Sequence, residues 1–240
     1  ALAAAVLLGA QDPELDPECL ASLLRVLAPL DPSGSRVMLI KYAGAEHPPI
    51  VRRAALEALG GLKLTPKQAE GLLDLLQDPD RLHVAQPARE ALAKVETWPE
   101  SAVPVLRKLA SSSRPELHVF ALRAMARAPY DSLVKPLTKV MLGDNSAELR
   151  QVAAEGLAAN PHALEPLMRA FLLEKDVDRA QIYAGPLRSL AADLPAAQWK
   201  SAVEKGCRLL FAQGPTAEIV LDTGALSPEE SAQEIILHLE

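Results

Sequence analysis

The chain has 240 residues; 49% are hydrophobic but only 3% aromatic, and the net charge is −6 with a pI near 5.5. An Ala, Leu and Val core with few aromatics suits closely packed helices and argues against a β-sandwich. The acidic balance argues against a phosphate-binding face, and the absence of any apolar run of 18 or more residues argues against a helical membrane span.

In chain order, Ala1–Ala10 is apolar but short and lacks a basic flank, and no initiator Met precedes it. It reads as the start of an excised segment or mature form of a larger chain, beginning inside a helix. Residues 2–8 and 17–27 form a degenerate helix pair, so residues 1–30 are expected to be an irregular first repeat. Asp12, Glu14, Asp16 and Glu18 make an acidic run. Pro13 and Pro17 interrupt it and it has no EF-hand glycine, so a loop is expected there and no calcium site.

Regular helix pairs follow. Residues 36–43 and 49–59 are the first complete pair. Residues 66–77 and 82–95 are the second, with Asp78-Pro79-Asp80 at the turn. Residues 99–110 and 115–127 are the third, with Ser111-Ser112-Ser113-Arg114 between them. In the fourth, Asp131 is expected to N-cap a helix whose apolar face is Leu133, Val134, Leu137, Val140 and Met141. Gly143-Asp144-Asn145-Ser146 is the turn, and Leu149, Val152, Ala153, Gly156 and Leu157 mark the next face. Residues 162–173 and 178–192 are the fifth pair.

Beyond Asp193 the register fades. A helix is expected over 197–211, an irregular segment over 213–225, and a last helix opened by Ser227-Pro228-Glu229-Glu230. Pro87 and Pro186 fall inside second helices, and Pro104, Pro136 and Pro166 inside first helices, where kinks are expected. Trp98 and Trp199, each opening a first helix, are expected to be buried staples.

The second helices repeat. Val51-Arg52-Arg53-Ala54-Ala55-Leu56-Glu57-Ala58-Leu59 has counterparts starting at Val84, Leu117, Leu149 and Ile182, at steps of 33, 33, 32 and 33 residues. Such a period belongs to a stacked solenoid, in which no single repeat buries its apolar face alone. The whole chain, residues 1–240, is therefore expected to be one solenoid domain: 1–30 degenerate, 35–192 regular, 193–240 an irregular repeat and capping helix. Cys19 and Cys207 would lie near opposite ends of it, so no disulfide between them is expected.

Pro136, Asp144 and Arg150 are spaced by eight and six residues across first helix, turn and second helix. With Leu149-Arg150 and Val51-Arg52 as the apolar–Arg step, this resembles the HEAT repeat; the segment from Val51 to Gly60 is similar to the second helix of HEAT-like repeats of phycobilin-lyase type. The resemblance implies an all-α, right-handed α-solenoid of stacked helix pairs, about six repeats long. It also implies that Asp144 and Arg150 are structural, the acid at the turn and the Arg linking turns, and that the second helices line a concave surface. The counterparts of Arg52 at 85, 118 and 183 are Ala, His and Tyr.

The chemistry is sparse. His47, His83, His118, His162 and His238 have no ligand-type spacing and no nearby Cys, so no metal site is expected. Neither a nucleophile elbow nor a phosphate loop is present, so no catalytic residue and no cofactor are assigned. The outward stripe of the second helices runs Arg53 and Glu57, Gln86 and Glu90, Val119 and Arg123, Gln151 and Glu155, Ala184 and Arg188. Its signs are mixed. That fits a protein or peptide partner, or plain solvation, better than a nucleic-acid backbone, which wants a uniformly basic track. The expected function is a non-catalytic scaffold that binds another protein or another domain of its parent chain. An enzyme on the same repeats, of phycobilin-lyase or DNA-glycosylase type, and a passive spacer are the alternatives.

Overall fold

The computed structural model describes residues 15–143, 146–174, 177–193 and 201. Among them the chain is helix and turn, with no strand. Its α-helices are α1 Pro17–Leu30, α2 Ser35–Tyr42, α3 Pro49–Leu59, α4 Pro66–Gly71, α5 Gln86–Leu92 and α6 Val103–Ala110. They continue with α7 Pro115–Ala126, α8 Val134–Leu142, α9 Ala147–Ala158, α10 Leu164–Leu173 and α11 Val177–Asp193. The expected helix over 2–8, Asp144 of the fourth turn, and the elements expected beyond Asp193, with Trp199, Cys207 and His238, lie outside the described residues apart from Ser201.

Two compact units divide the chain, residues 1–120 and 121–240, and the division falls inside α7. In the first, the second-type helices α1, α3 and α5 pack in succession and α2 lies against α3. In the second, α9 packs on α11, with α8 against α9 and α10 against α11. Each unit is thus a run of helix pairs in which neighbouring repeats complete one another's core, the all-α solenoid arrangement.

The sequence dictates these faces directly. In α3 the buried residues include Val51, Ala54, Ala55, Ala58 and Leu59, the i, i+3, i+4, i+7, i+8 stripe of an amphipathic helix. Small residues let the helices approach closely. At Gly156 of α9, an added Cβ would lie 2.5 Å from the Ala126 Cα of α7, so that crossing requires glycine. Trp98 is 2% exposed and meets Phe120 edge to face, the staple expected of it.

The helix starts follow capping rules. Asp16 accepts from the Glu18 and Cys19 N–H groups ahead of Pro17. Thr65 and Gln68 form a reciprocal capping box with Pro66 in the first turn. Ser146 accepts from the Leu149 N–H.

The prolines depart from expectation. Pro104, Pro136 and Pro166 do not stand in helix interiors. A 3-10 turn precedes each (Glu100–Ala102, Asp131–Leu133, Pro161–Ala163), and the α-helix begins one or two residues before the proline. The first N–H groups of a helix have no intrahelical acceptor, so a proline there forfeits no bond. Asp131 is likewise not an N-cap: it opens its 3-10 turn, and its carboxylate accepts from the buried Asn160 Nδ2 at 3.0 Å.

The second pair is also less regular than its sequence predicts. α4 ends at Gly71 and a 3-10 turn, Leu73–Gln77, replaces its second half. Its partner starts as a π turn, Arg81–Ala85, in which the Ala85 N–H reaches back to the Asp80 carbonyl at 3.1 Å. Pro87 has no N–H to return to His83, so the i→i+4 ladder cannot run through; the wider turn precedes the proline and α5 begins at Gln86. Pro186, by contrast, lies inside the 17-residue α11. With Gly185 beside it, that helix carries two residues that cost about 1 and about 3 kcal/mol relative to alanine in a helix interior.

Candidate partner-binding ridge

The candidate positions are the outward ones of α3 and α5 in the first unit, of α9 and α11 in the second, and of α7, where the units divide. Arg53, Glu57, Gln86, Glu90, Arg123, Gln151, Glu155 and Arg188 are all exposed, and Val119 and Ala184 are half-buried. Three repeats carry the same device at the same register, a polar pair one helical turn apart. Arg53 Nε donates to Glu57 at 2.6 Å, Gln86 Nε2 to Glu90 at 3.0 Å, and Gln151 Nε2 to Glu155 at 2.9 Å. Residues four apart lie on one helix face, so each pair closes across a single turn.

Neighbouring second helices are also joined. Arg25 of α1 reaches Glu57 at 3.1 Å, so one carboxylate serves two guanidiniums. Burial by itself would raise the Glu57 carboxyl, but hydrogen bonds and charge from Arg53 and Arg25 hold it below its ordinary range. In the second unit Arg123 pairs with Glu148 at the start of α9. The acid sits in a helix's first turn, where the dipole favours it.

Beneath the ridge runs the structural ladder. Arg52 is 8% exposed. Its Nε donates to the Ala43 carbonyl at the end of its own first helix at 3.2 Å, and its Nη2 to Asp78 of the next repeat's turn at 2.7 Å. The acid that pairs with this Arg therefore belongs to the following repeat, not to Glu46 in its own turn. Arg150 is half-buried in α9, and Pro136 stands in the first α-helical turn of α8.

Repeats lacking the Arg satisfy the corresponding carbonyl by other means. In the third, His118 takes the Arg position and its Nδ1 donates to the Ala110 carbonyl. In the second, where Ala85 has nothing to offer, Arg114 reaches back from the third turn to the Leu76 carbonyl at 3.4 Å. The same Arg114 pairs with Glu116 at 3.1 Å. At the fifth position Tyr183 is fully buried; desolvation, and then the charge of Glu174, push its hydroxyl upward in pKa.

The turn histidines have local structural contacts. His47 lies against Tyr42 with ring centroids 4.6 Å apart. His83 sits 3.0 Å from the Asp80 carboxylate, which also accepts its backbone N–H. Those two contacts, the backbone one first, hold the Asp80 carboxyl below its ordinary range. His162 is 3.6 Å from Asp131. Among the described residues no group of three or more His, Cys, Asp or Glu side chains is placed to hold a metal ion, and no helix is long and apolar enough to cross a membrane.

One concavity lies on the ridge itself. Between α9 and α11 a groove of about 620 Å³ runs beside Gln151 and Glu155. Its opposite wall is formed by Ile182, Gly185, Pro186 and Ser189. The sequence pattern names the α9 side of this groove but not the α11 side. The available signal was Gly185-Pro186, a pair that breaks helices yet lies in an uninterrupted helical register.

The family model for HEAT repeats matches residues 4–93. A search of curated proteins returns no match to the chain. HEAT repeats commonly serve as protein-interaction scaffolds, and the family is typically non-enzymatic. The matched segment covers α1 to α5, and beyond it the second unit repeats the same pairing of helices with the Leu149-Arg150 step in α9; the match over residues 4–93 supports a HEAT-repeat family for the chain.

Proposed function

We propose that the chain is a non-catalytic scaffold that engages another protein, or another domain of its parent chain, along the ridge of second helices. The observation that supports this reading is the repetition of one exposed polar pair, Arg53–Glu57, Gln86–Glu90 and Gln151–Glu155, at one register in the first, second and fourth repeats. Within each unit, stacked repeats present such positions side by side. Each side chain is already held by an intramolecular bond, so a partner meets an ordered pattern and loses less side-chain entropy on binding. The alternation of signs favours recognition by pattern, as between proteins, and provides no phosphate track for nucleic acid.

The test is selection of a displayed peptide library on the full chain, followed by hydrogen-exchange footprinting of the captured peptides. Protection centred on Arg53–Glu57, Gln86–Glu90, Arg123, Gln151–Glu155 and Arg188 is the expected result. Protection confined to the first helices of the pairs would place the interaction surface on the other face and overturn the reading.

A further inference from the structure

Glycine at 185 has no packing reason within the unit. At Gly156 an added Cβ would collide with Ala126, whereas at Gly185 it would meet no atom within 4 Å. Gly185 is exposed, in mid-helix, where alanine is the better residue. What its missing side chain does is keep the floor of the α9–α11 groove low, as a glycine does where another backbone approaches closely.

Pro186 adds a second feature. It has no N–H to return to the Ile182 carbonyl, the acceptor an α-helix would satisfy from that position, and Ile182 lines the groove. Across from it stands the Glu155 carboxylate, oriented by Gln151 through one of its two oxygens. The Ser189 hydroxyl is committed to the Gly185 carbonyl at 3.3 Å. The groove's lining residues include a full negative charge and no Lys, Arg or His. Ala158, Ile182 and Pro186 supply apolar surface for a methylene stem.

We infer that this groove is a subsite for the lysine or arginine side chain of an extended peptide. The inference rests on the ridge reading above and names the partner chemistry at one place on it. The peptide backbone passes over Gly185, the cationic head donates to Glu155, and charge-assisted bonds of that kind carry the selectivity.

The experiment uses the full chain and acetylated octapeptide sets with one fixed central residue, Arg, Lys, Gln, Glu or Leu, and randomised flanks. The Arg and Lys sets should be retained ~10-fold or more over the Gln and Glu sets, the scale of one charge-assisted contact. Glu155→Gln should abolish that preference. Gly185→Leu should abolish retention of the cationic sets while helicity is kept and the melting temperature does not fall below wild type, since the new side chain fills open groove and improves helix propensity. Equal retention of the Arg and Gln sets, a preference that survives Glu155→Gln, or retention indifferent to Gly185→Leu would each overturn the subsite. Peptides whose capture survives Gly185→Leu but is lost in Arg53→Glu would sink the subsite and leave the ridge reading standing. Failure of every set to bind would overturn both.

Discussion

Arg52 holds the Asp78 carboxylate at 2.7 Å, 26 residues further along the chain, while the same guanidinium donates to the Ala43 carbonyl. One side chain thereby fixes the end of its own first helix and the turn of the next repeat. Both partners are largely withdrawn from water, with side chains 9% and 16% exposed. Removing one member leaves the other buried without its counter-charge. Arg52→Ala is expected to lower stability by about 3 kcal/mol, and Asp78→Asn by less, because Ala43 keeps its donor. Urea denaturation of both single variants and the double variant measures the coupling. Additive losses would mean that the two side chains act independently.

The carbonyls at the ends of successive first helices, Ala43, Leu76 and Ala110, are met by Arg52, Arg114 and His118. An unmet buried acceptor costs more than a typical net hydrogen bond contributes. His118→Ala and Arg114→Ala are each expected to lose about 1 kcal/mol, and His118→Gln, which can still donate, to lose less than His118→Ala. Calorimetric unfolding of the three variants checks the order.

The fold was legible because its signals were local and periodic. The stripe Val51, Ala54, Ala55, Ala58, Leu59 and its counterparts specify buried helical faces without knowledge of their neighbours. The exposure of the outward stripe was legible for the same reason: positions opposite a buried stripe face solvent, as Arg53, Gln86 and Gln151 do. The ladder was only half legible. Periodicity puts Arg52 at a structural position, but it does not say that its acid lies 26 residues ahead at Asp78, or that Arg114 would serve a repeat with alanine at 85. Those are contacts between repeats, and one repeat's sequence is silent about them. The place of the prolines was not legible, because helical periodicity does not distinguish a 3-10 turn from an α-helix: the 3-10 turn before each α-helix moves Pro104, Pro136 and Pro166 out of the interior.

Acid should loosen the first unit through Glu57. Burial would raise its carboxyl, but Arg53 and Arg25 hold it below the ordinary carboxylate value of about 4.5 in the folded chain. A depressed folded value means that the stabilisation is fully present above the unfolded pKa and is lost as pH falls through the folded one. Stability should therefore be flat near neutrality on this account and decline below about pH 4.5. Glu57→Gln should shrink that decline, and added salt should shrink it too, because the side chain is about one-third exposed and the pairs are screened. Melting temperatures measured from pH 6 to pH 3 for both proteins give the comparison; identical acid limbs would show that the Arg25–Glu57–Arg53 cluster does not couple to folding.

Two glycines in two second helices should respond oppositely to the same change. In α9, Gly156→Ala gains helix propensity but drives a methyl group to 2.5 Å from the Ala126 Cα and 2.6 Å from its Cβ, and backbone cannot rotate away as a side-chain tip can. Helices α7 and α9 must then separate, at an overpacking cost of about 1–3 kcal/mol that exceeds the propensity gain of about 1 kcal/mol. In α11, Gly185→Ala places its methyl in open space, so only the propensity term remains and stability should rise by about 0.5–1 kcal/mol. The paired measurement separates steric requirement from mere helix preference, because both residues lie in α-helix with identical chemistry and differ in what their missing Cβ would meet. Urea midpoints should move in opposite directions from wild type. If both rise, the α7–α9 crossing relaxes freely and Gly156 is not what sets its closeness; if both fall, the Gly185 position is constrained by its surroundings, and the groove above it is not open space.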